Sequence, residues 1–277
     1  MEEKISSVIR QFKNIKKIYD TAHIGAYSGR AALFVMLSAL PLAVLLASLT
    51  GMWLKADFGS VAEVAQDYLS SVVGEYIINV LHQLTQQVSV SVLSVTGVFL
   101  LWSATKGVRS IADGVNAVYG TDAQLGFVQK FIRSVGYVVV ILLSVLAFGV
   151  VGVLIIPLEN LLEKMLDSNR WLLLVVNLRA VFVFVLLWFI FTATYKILAK
   201  TTITFKQQFV GAAFAALGWQ LFSFGYSLYI QHFSSWSVLY GSFGAVMLFM
   251  VWLYMCINIL LCGALINKLA AERKKCD

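Results

Sequence analysis

The chain has 277 residues, 60% of them hydrophobic and 13% charged, with a net charge of +7. A typical soluble domain is about 25% charged, so this composition excludes an ordinary soluble fold and points into the lipid bilayer. The length allows several membrane crossings and leaves no room for an additional soluble domain of ordinary size.

Residues 1–19 are polar and basic with no apolar core, so no cleaved signal peptide is expected. Within this stretch Ile5, Val8, Ile9 and Phe12 lie beside Lys4, Arg10 and Lys13, the pattern of an interfacial cationic helix. The first span is 31–54, with Pro41 in mid-span after Ser38, which predicts a kink. Next, Val61, Val64, Tyr68, Leu69, Val72, Tyr76, Val80 and Leu81 recur at three-to-four spacing. That spacing predicts one or two amphipathic helices outside the bilayer, either a packed cap or a gate.

A second, shorter span covers 88–105 and is rich in Ser and Thr, and a third covers 134–158. The fourth, 171–195, is apolar except for Asn177 and Arg179. Between Lys206 and Lys268 lie 61 residues with no formal charge. One crossing takes roughly 20 residues, so this stretch divides into two spans, 209–230 and 243–266. Gln231, His232, Ser234, Ser235 and Ser237 mark the turn between them, Gln231 to Gly241. The expected fold is all-α: one polytopic membrane domain over 1–277, with six transmembrane helices and amphipathic extramembrane helices. No internal repeat is visible, which weighs against the inverted-repeat transporter folds.

An even number of spans puts both termini on one side. With that side cytoplasmic, 17 of the 21 Lys and Arg residues fall inside, and only Lys55, Lys164 and Arg170 fall outside. This is the positive-inside distribution. The surplus charge then serves topology and attraction to anionic membrane lipids, and needs no nucleic-acid partner. Cys256 and Cys262 fall in the last span and Cys276 in the tail, so no structural disulfide is expected.

Enzyme chemistry is poorly provided for. His23, His82 and His232 sit in separate segments, no metal-ligand pair has helical or hairpin spacing, and no Asp or Glu lies in any span. A phosphate-cradling Gly-Lys loop is missing as well. The expectation is a non-enzyme without cofactor or metal. Arg179 is the outlier, nine residues into the fourth span and roughly 13 Å from its end at 1.5 Å per residue. A cation there costs about 3 kcal/mol unless solvated or paired. Either it snorkels to the interface, or with Asn177 it lines a polar cavity or anion site, where a guanidinium can grip phosphate or carboxylate bidentately.

After the second span, Lys106, Arg109, Asp113 and Asn116 recur at three, four and three, one stripe of a helix. The stripe is either a solvated face or the wall of a vestibule. Gly211 and Gly218 in the fifth span, and Gly241 and Gly244 at the start of the sixth, are packing positions where backbones can approach closely. Gln220, Asn258 and Asn267 should face protein, not lipid.

Three stretches resemble the YihY/virulence factor BrkB family of bacterial inner-membrane proteins, formerly labelled ribonuclease BN. They are AYSGRAALFVMLSALPLAVLLASL (26–49), LWSATKGVRSIADGVNAVYG (101–120), and the segments GAAFAALGW, YGSFGAVMLFMVWLY and GALIN between Gly211 and Asn267. Lys106 and Asn116 match family positions. A family Gly-Ala-Glu step reads Gly263, Ala264, Leu265 here, and a family Arg falls on Leu125. The resemblance implies six spans in the bacterial cytoplasmic membrane and a link to transport or envelope functions. Two functions stay open: a transporter or flippase-like exporter of an anionic or amphipathic solute or lipid, or a non-transporting scaffold or envelope-assembly partner. Ribonuclease activity is not expected, because the sequence offers no metal cluster and no exposed catalytic acids with a base.

Overall fold

The computed structural model describes residues 13–54, 90–121, 132, 134–137, 170–198, 204–232 and 236–276. A helical segment over 13–21 leads into five long helices: α1 Ile24–Leu54, α2 Val90–Tyr119, α3 Arg170–Leu198, α4 Phe209–His232 and α5 Trp236–Cys276. A 3-10 turn, Phe205–Gln208, feeds α4. Among the described residues there is no strand. Four stretches are long and apolar enough to cross a membrane: Ile24–Leu42, Ala180–Leu198, Phe205–Ile230 and Val246–Glu272.

The helices belong to two compact units, one of Met1–Leu33 with Gly107–Asp277 and one of Phe34–Lys106. In the first, α5 is the most buried element: Cys256, Ile257, Leu260, Leu261, Ala264 and Leu265 are all in the core. Against it α4 buries small residues, Ala212, Ala215 and Ala216, and exposes Val210, Phe214, Leu217, Leu221 and Phe224. In water this helix would be inside out. In lipid it is the expected arrangement, because tails solvate large apolar side chains and small residues let helix backbones approach.

That approach is closest where Gly211 of α4 meets Gly263 of α5. A Cβ on Gly211 would strike the Gly263 carbonyl oxygen, and one on Gly263 would lie 2.6 Å from the Gly211 carbonyl oxygen and strike the Tyr195 hydroxyl. Hydrogen bonds reinforce the crossing. Tyr195 Oη donates to the Leu260 carbonyl at 2.6 Å, and the Gly211 N–H donates to Asn267 Oδ1 at 2.7 Å. Higher on the same pair, Trp219 and Trp252 meet edge to face at 5.7 Å, and Tyr226 Oη donates to the Leu248 carbonyl at 2.6 Å.

In the second unit Phe34 packs edge-on against Trp102 at 5.9 Å, and Ser38 Oγ donates to the Val35 carbonyl at 2.7 Å, one turn before buried Pro41. Proline removes one helical N–H, yet α1 runs on through it to Leu54.

Four of the expected spans, 31–54, 171–195, 209–230 and 243–266, lie within α1, α3, α4 and α5. Helix hydrogen bonding does not stop where hydrocarbon does, so the helices outrun those bounds. The expected turn Gln231–Gly241 is shorter for the same reason: α4 continues to His232 and α5 starts at Trp236. The 88–105 segment forms most of the first half of α2, which does not belong to the four span-length apolar stretches. The third span, the outer amphipathic segment 61–81 and residues 1–12 lie outside the described residues, apart from 134–137.

Candidate functional site: a polar helix face turned into the protein

The stripe on α2 divides at its first residue. Lys106 belongs to the second unit, where its Nζ stands 5.3 Å from the centre of the Trp102 ring and 5.7 Å from that of Phe34. A cation over an aromatic face is attracted by the ring quadrupole. Arg109, Asp113 and Asn116 belong to the first unit.

Asp113 receives Arg30 of α1. The Arg30 Nη2 donates to Asp113 Oδ2 at 2.5 Å, its Nε donates to Ser110 Oγ at 2.7 Å, and its guanidinium carbon lies 5.2 Å from the Tyr27 ring centre. One guanidinium therefore grips a carboxylate, a hydroxyl and a ring from two neighbouring helices. The side chains of Arg30 and Asp113 keep 46% and 34% of their surface exposed. The pair is thus a contact that water or headgroups can reach, worth on the order of 1 kcal/mol in an aqueous setting.

Asn116, one turn on, is buried. Its Nδ2 donates to the Ala112 carbonyl at 2.8 Å and to the Leu198 carbonyl at 3.2 Å, and its Oδ1 accepts from Thr121 Oγ1 at 3.0 Å. It thereby ties the end of α2 to the last residue of α3. Gly120, at φ 68°, closes α2, and the Thr121 N–H returns to the Asn116 carbonyl at 3.1 Å. This is the left-handed glycine stop common at helix ends. Arg109 is half-buried.

Asn177 and Arg179 lie on α3, but their side chains are outside the described residues. Gly218 sits where a Cβ would be 3.0 Å from Ile259 Cγ2, Gly244 is buried, and Gly241 lies on α5. Gln220 Nε2 donates to the Ala180 carbonyl at 2.9 Å and Asn258 Nδ2 to Tyr19 Oη at 2.8 Å, so these amides engage protein. Leu265, where the resemblance leads one to expect an acid, is buried in the core.

Sequence reasoning missed Arg30 as a partner of the stripe, having counted it only toward the charge balance. Its isolation was the available signal: it is the sole Lys or Arg between Lys17 and Lys55. The partner, 83 positions away, is invisible to any local pattern.

Apolar helices of spanning length, small residues at their crossings and a polar face held between helices define a polytopic α-helical membrane protein. The comparisons place it further. Residues 15–276 match the family described as Virulence factor BrkB, and the chain belongs to that family. It is similar to a protein of Bacillus subtilis (strain 168) named ribonuclease-like, YfkH, at 25% identity over 92% of this chain and 93% of the relative. It is also similar to a UPF0761 membrane protein of Vibrio parahaemolyticus, at 26% identity over 98% of this chain and 85% of the relative. No solved structure matches.

Proposed function

We propose that this chain is a transporter or flippase-like exporter of an anionic or amphipathic solute or lipid in the bacterial cytoplasmic membrane, with six spans and both termini cytoplasmic. The supporting observation is the α2 stripe. Asp113 and Asn116 face neighbouring helices, and Asp113 meets Arg30 in a half-exposed contact. A helix pair held by polar groups within reach of water can part and re-form as a solute passes. A pair packed only through apolar surface gives a polar solute no partner on the way. Arg179, deep in α3, would supply a cation along such a path. The ribonuclease-like name belongs to one relative, and nothing in it is carried over to this chain.

Purified protein in proteoliposomes tests this. Movement of a fluorescent phosphatidylglycerol, or efflux of an anionic dye, should exceed that of protein-free vesicles. It should fall at least about tenfold in Arg179→Gln and recover only partly in Arg179→Lys, because an ammonium lacks the bidentate fork. Absence of flux for both probes from well-folded protein would favour the other reading, a non-transporting scaffold, which the sealed Gly211–Gly263 crossing supports. Topology is checked separately. Cysteines introduced near Glu63 and Glu163 should react with an impermeant thiol reagent in intact cells, and one near Lys200 should not.

A further inference from the structure

At the α1–α2 contact the carboxylate holds its cation by a single bond. Asp113 Oδ2 accepts from Arg30 Nη2 at 2.5 Å and Ser110 Oγ accepts from Nε at 2.7 Å, while Nη1 takes part in neither bond. A guanidinium carries five N–H donors in a rigid fork, which a phosphate can meet with two oxygens at once. Buried Ser110 and the Tyr27 ring, 5.2 Å from the guanidinium carbon, hold that fork in place. The Arg30 and Asp113 side chains both keep part of their surface exposed. Pairs this exposed hold weakly, so an incoming anion can displace the carboxylate. Arg109, four residues before Asp113 on α2, is spaced to receive it.

Position selects the anion. Arg30 immediately precedes an uncharged stretch that runs to Leu54. Leu33, one turn on along the same face, is exposed. A cation beside exposed apolar helix surface suits an amphiphile, with its charged head on the guanidinium and a chain along the helix. A free phosphate would gain nothing from Leu33. We propose that Arg30 binds the headgroup phosphate of an anionic phospholipid, and that Asp113 is the resident carboxylate that occupies the guanidinium until the lipid displaces it. This assigns a ligand class and a receiving residue to the transport reading, and rests on that reading in taking this contact as the one that opens.

Binding is measured on the delipidated full chain in detergent by native mass spectrometry, with phosphatidylglycerol, phosphatidylcholine and inorganic phosphate as probes. The native protein should prefer phosphatidylglycerol to phosphatidylcholine, and inorganic phosphate should compete poorly. Arg30→Gln should weaken phosphatidylglycerol binding about tenfold, the scale of one hydrogen bond between charged groups, and Arg30→Lys should weaken it less. Asp113→Asn removes the competitor and should tighten binding about threefold to fivefold, the scale of an exposed ion pair. Asp20→Asn removes an exposed carboxylate elsewhere in the same unit and should change nothing. Opposite signs at Arg30 and Asp113 separate ligand exchange from a purely structural pair, whose two variants would move together. Asp113→Asn binding no tighter, an equal gain in Asp20→Asn, or unchanged binding in Arg30→Gln overturns the proposal. Full displacement of the lipid by inorganic phosphate overturns the choice of a lipid. Should Asp113→Asn fail to fold, the Arg30 variants carry the test, and Arg30→Lys binding no better than Arg30→Gln overturns it. The expected binding pattern without flux in proteoliposomes would remove the transport reading and leave the site standing.

Discussion

Two helix contacts in the first unit are built on opposite principles. At the α4–α5 crossing, Gly211 and Gly263 bring backbones so close that neither position has space for a Cβ, and Tyr195, Asn267 and Ala215 are fully buried around them. At the α1–α2 contact, Arg30 and Asp113 meet with 46% and 34% of their side-chain surface exposed. Lipid supplies no hydrophobic drive for helices to associate, so association rests on close packing and interhelical hydrogen bonds. The first contact uses both and cannot slide without a clash. The second uses a charged hydrogen bond that water or headgroups can replace. A membrane protein that must move would keep the first as its fixed part and work through the second.

The largest expected effect breaks the fixed contact. Gly211→Val and Gly263→Val each force a side chain into backbone and should destabilise by about 3 kcal/mol or more, at the upper end of overpacking costs. Size-exclusion profiles and thermal unfolding in detergent will read this as aggregation or a large fall in unfolding temperature. A monodisperse Gly211→Val protein with native stability would show that the crossing can open.

Asn267→Ala is expected to come next. It leaves the buried Gly211 N–H without its acceptor, at about 1–3 kcal/mol. Asn267→Asp keeps an acceptor at that position and should lose less on that account, and the difference between the two variants in the same unfolding assay isolates this hydrogen bond. Tyr195→Phe follows. It removes the donor to the Leu260 carbonyl while filling the same space, and should cost about 1 kcal/mol.

The adjustable contact should respond least in stability. Asp113→Asn and Arg30→Gln should each change unfolding by no more than about 1 kcal/mol, the range of exposed ion pairs. The exchange Arg30→Asp with Asp113→Arg should restore part of what either charge reversal alone removes. If Asp113→Asn proved as damaging as Gly211→Val, the two contacts would not differ in kind and the comparison would fail.

The uncharged run from Lys206 to Lys268 can be satisfied only by two helices with their backbone bonds closed internally, so α4 and α5 were legible as two helices, although α5 extends beyond the expected 243–266 at both ends. So was the family, from local segments such as Leu101 to Gly120. Small residues at Gly211 and Gly218 pointed to close helix packing. The partner they pack against was not legible, since Gly263 stands 52 positions from Gly211. Leu265 illustrates the same division: the resemblance marks it in sequence as a position where an acid is expected, while its burial is a fact of packing.

By itself, the sequence determined that this chain is a helical membrane protein, where its longest apolar helices run and which family it belongs to. Those properties depend on composition and on short-range periodicity, which the bilayer enforces on any segment of adequate length. Only the tertiary structure decided that Arg30 holds Asp113, that Asn116 binds the end of α3, and that Asn267 accepts from the Gly211 N–H. Each is a meeting of groups on different helices, set by how the helices rotate and slide against one another, and no periodicity within a single helix encodes that geometry.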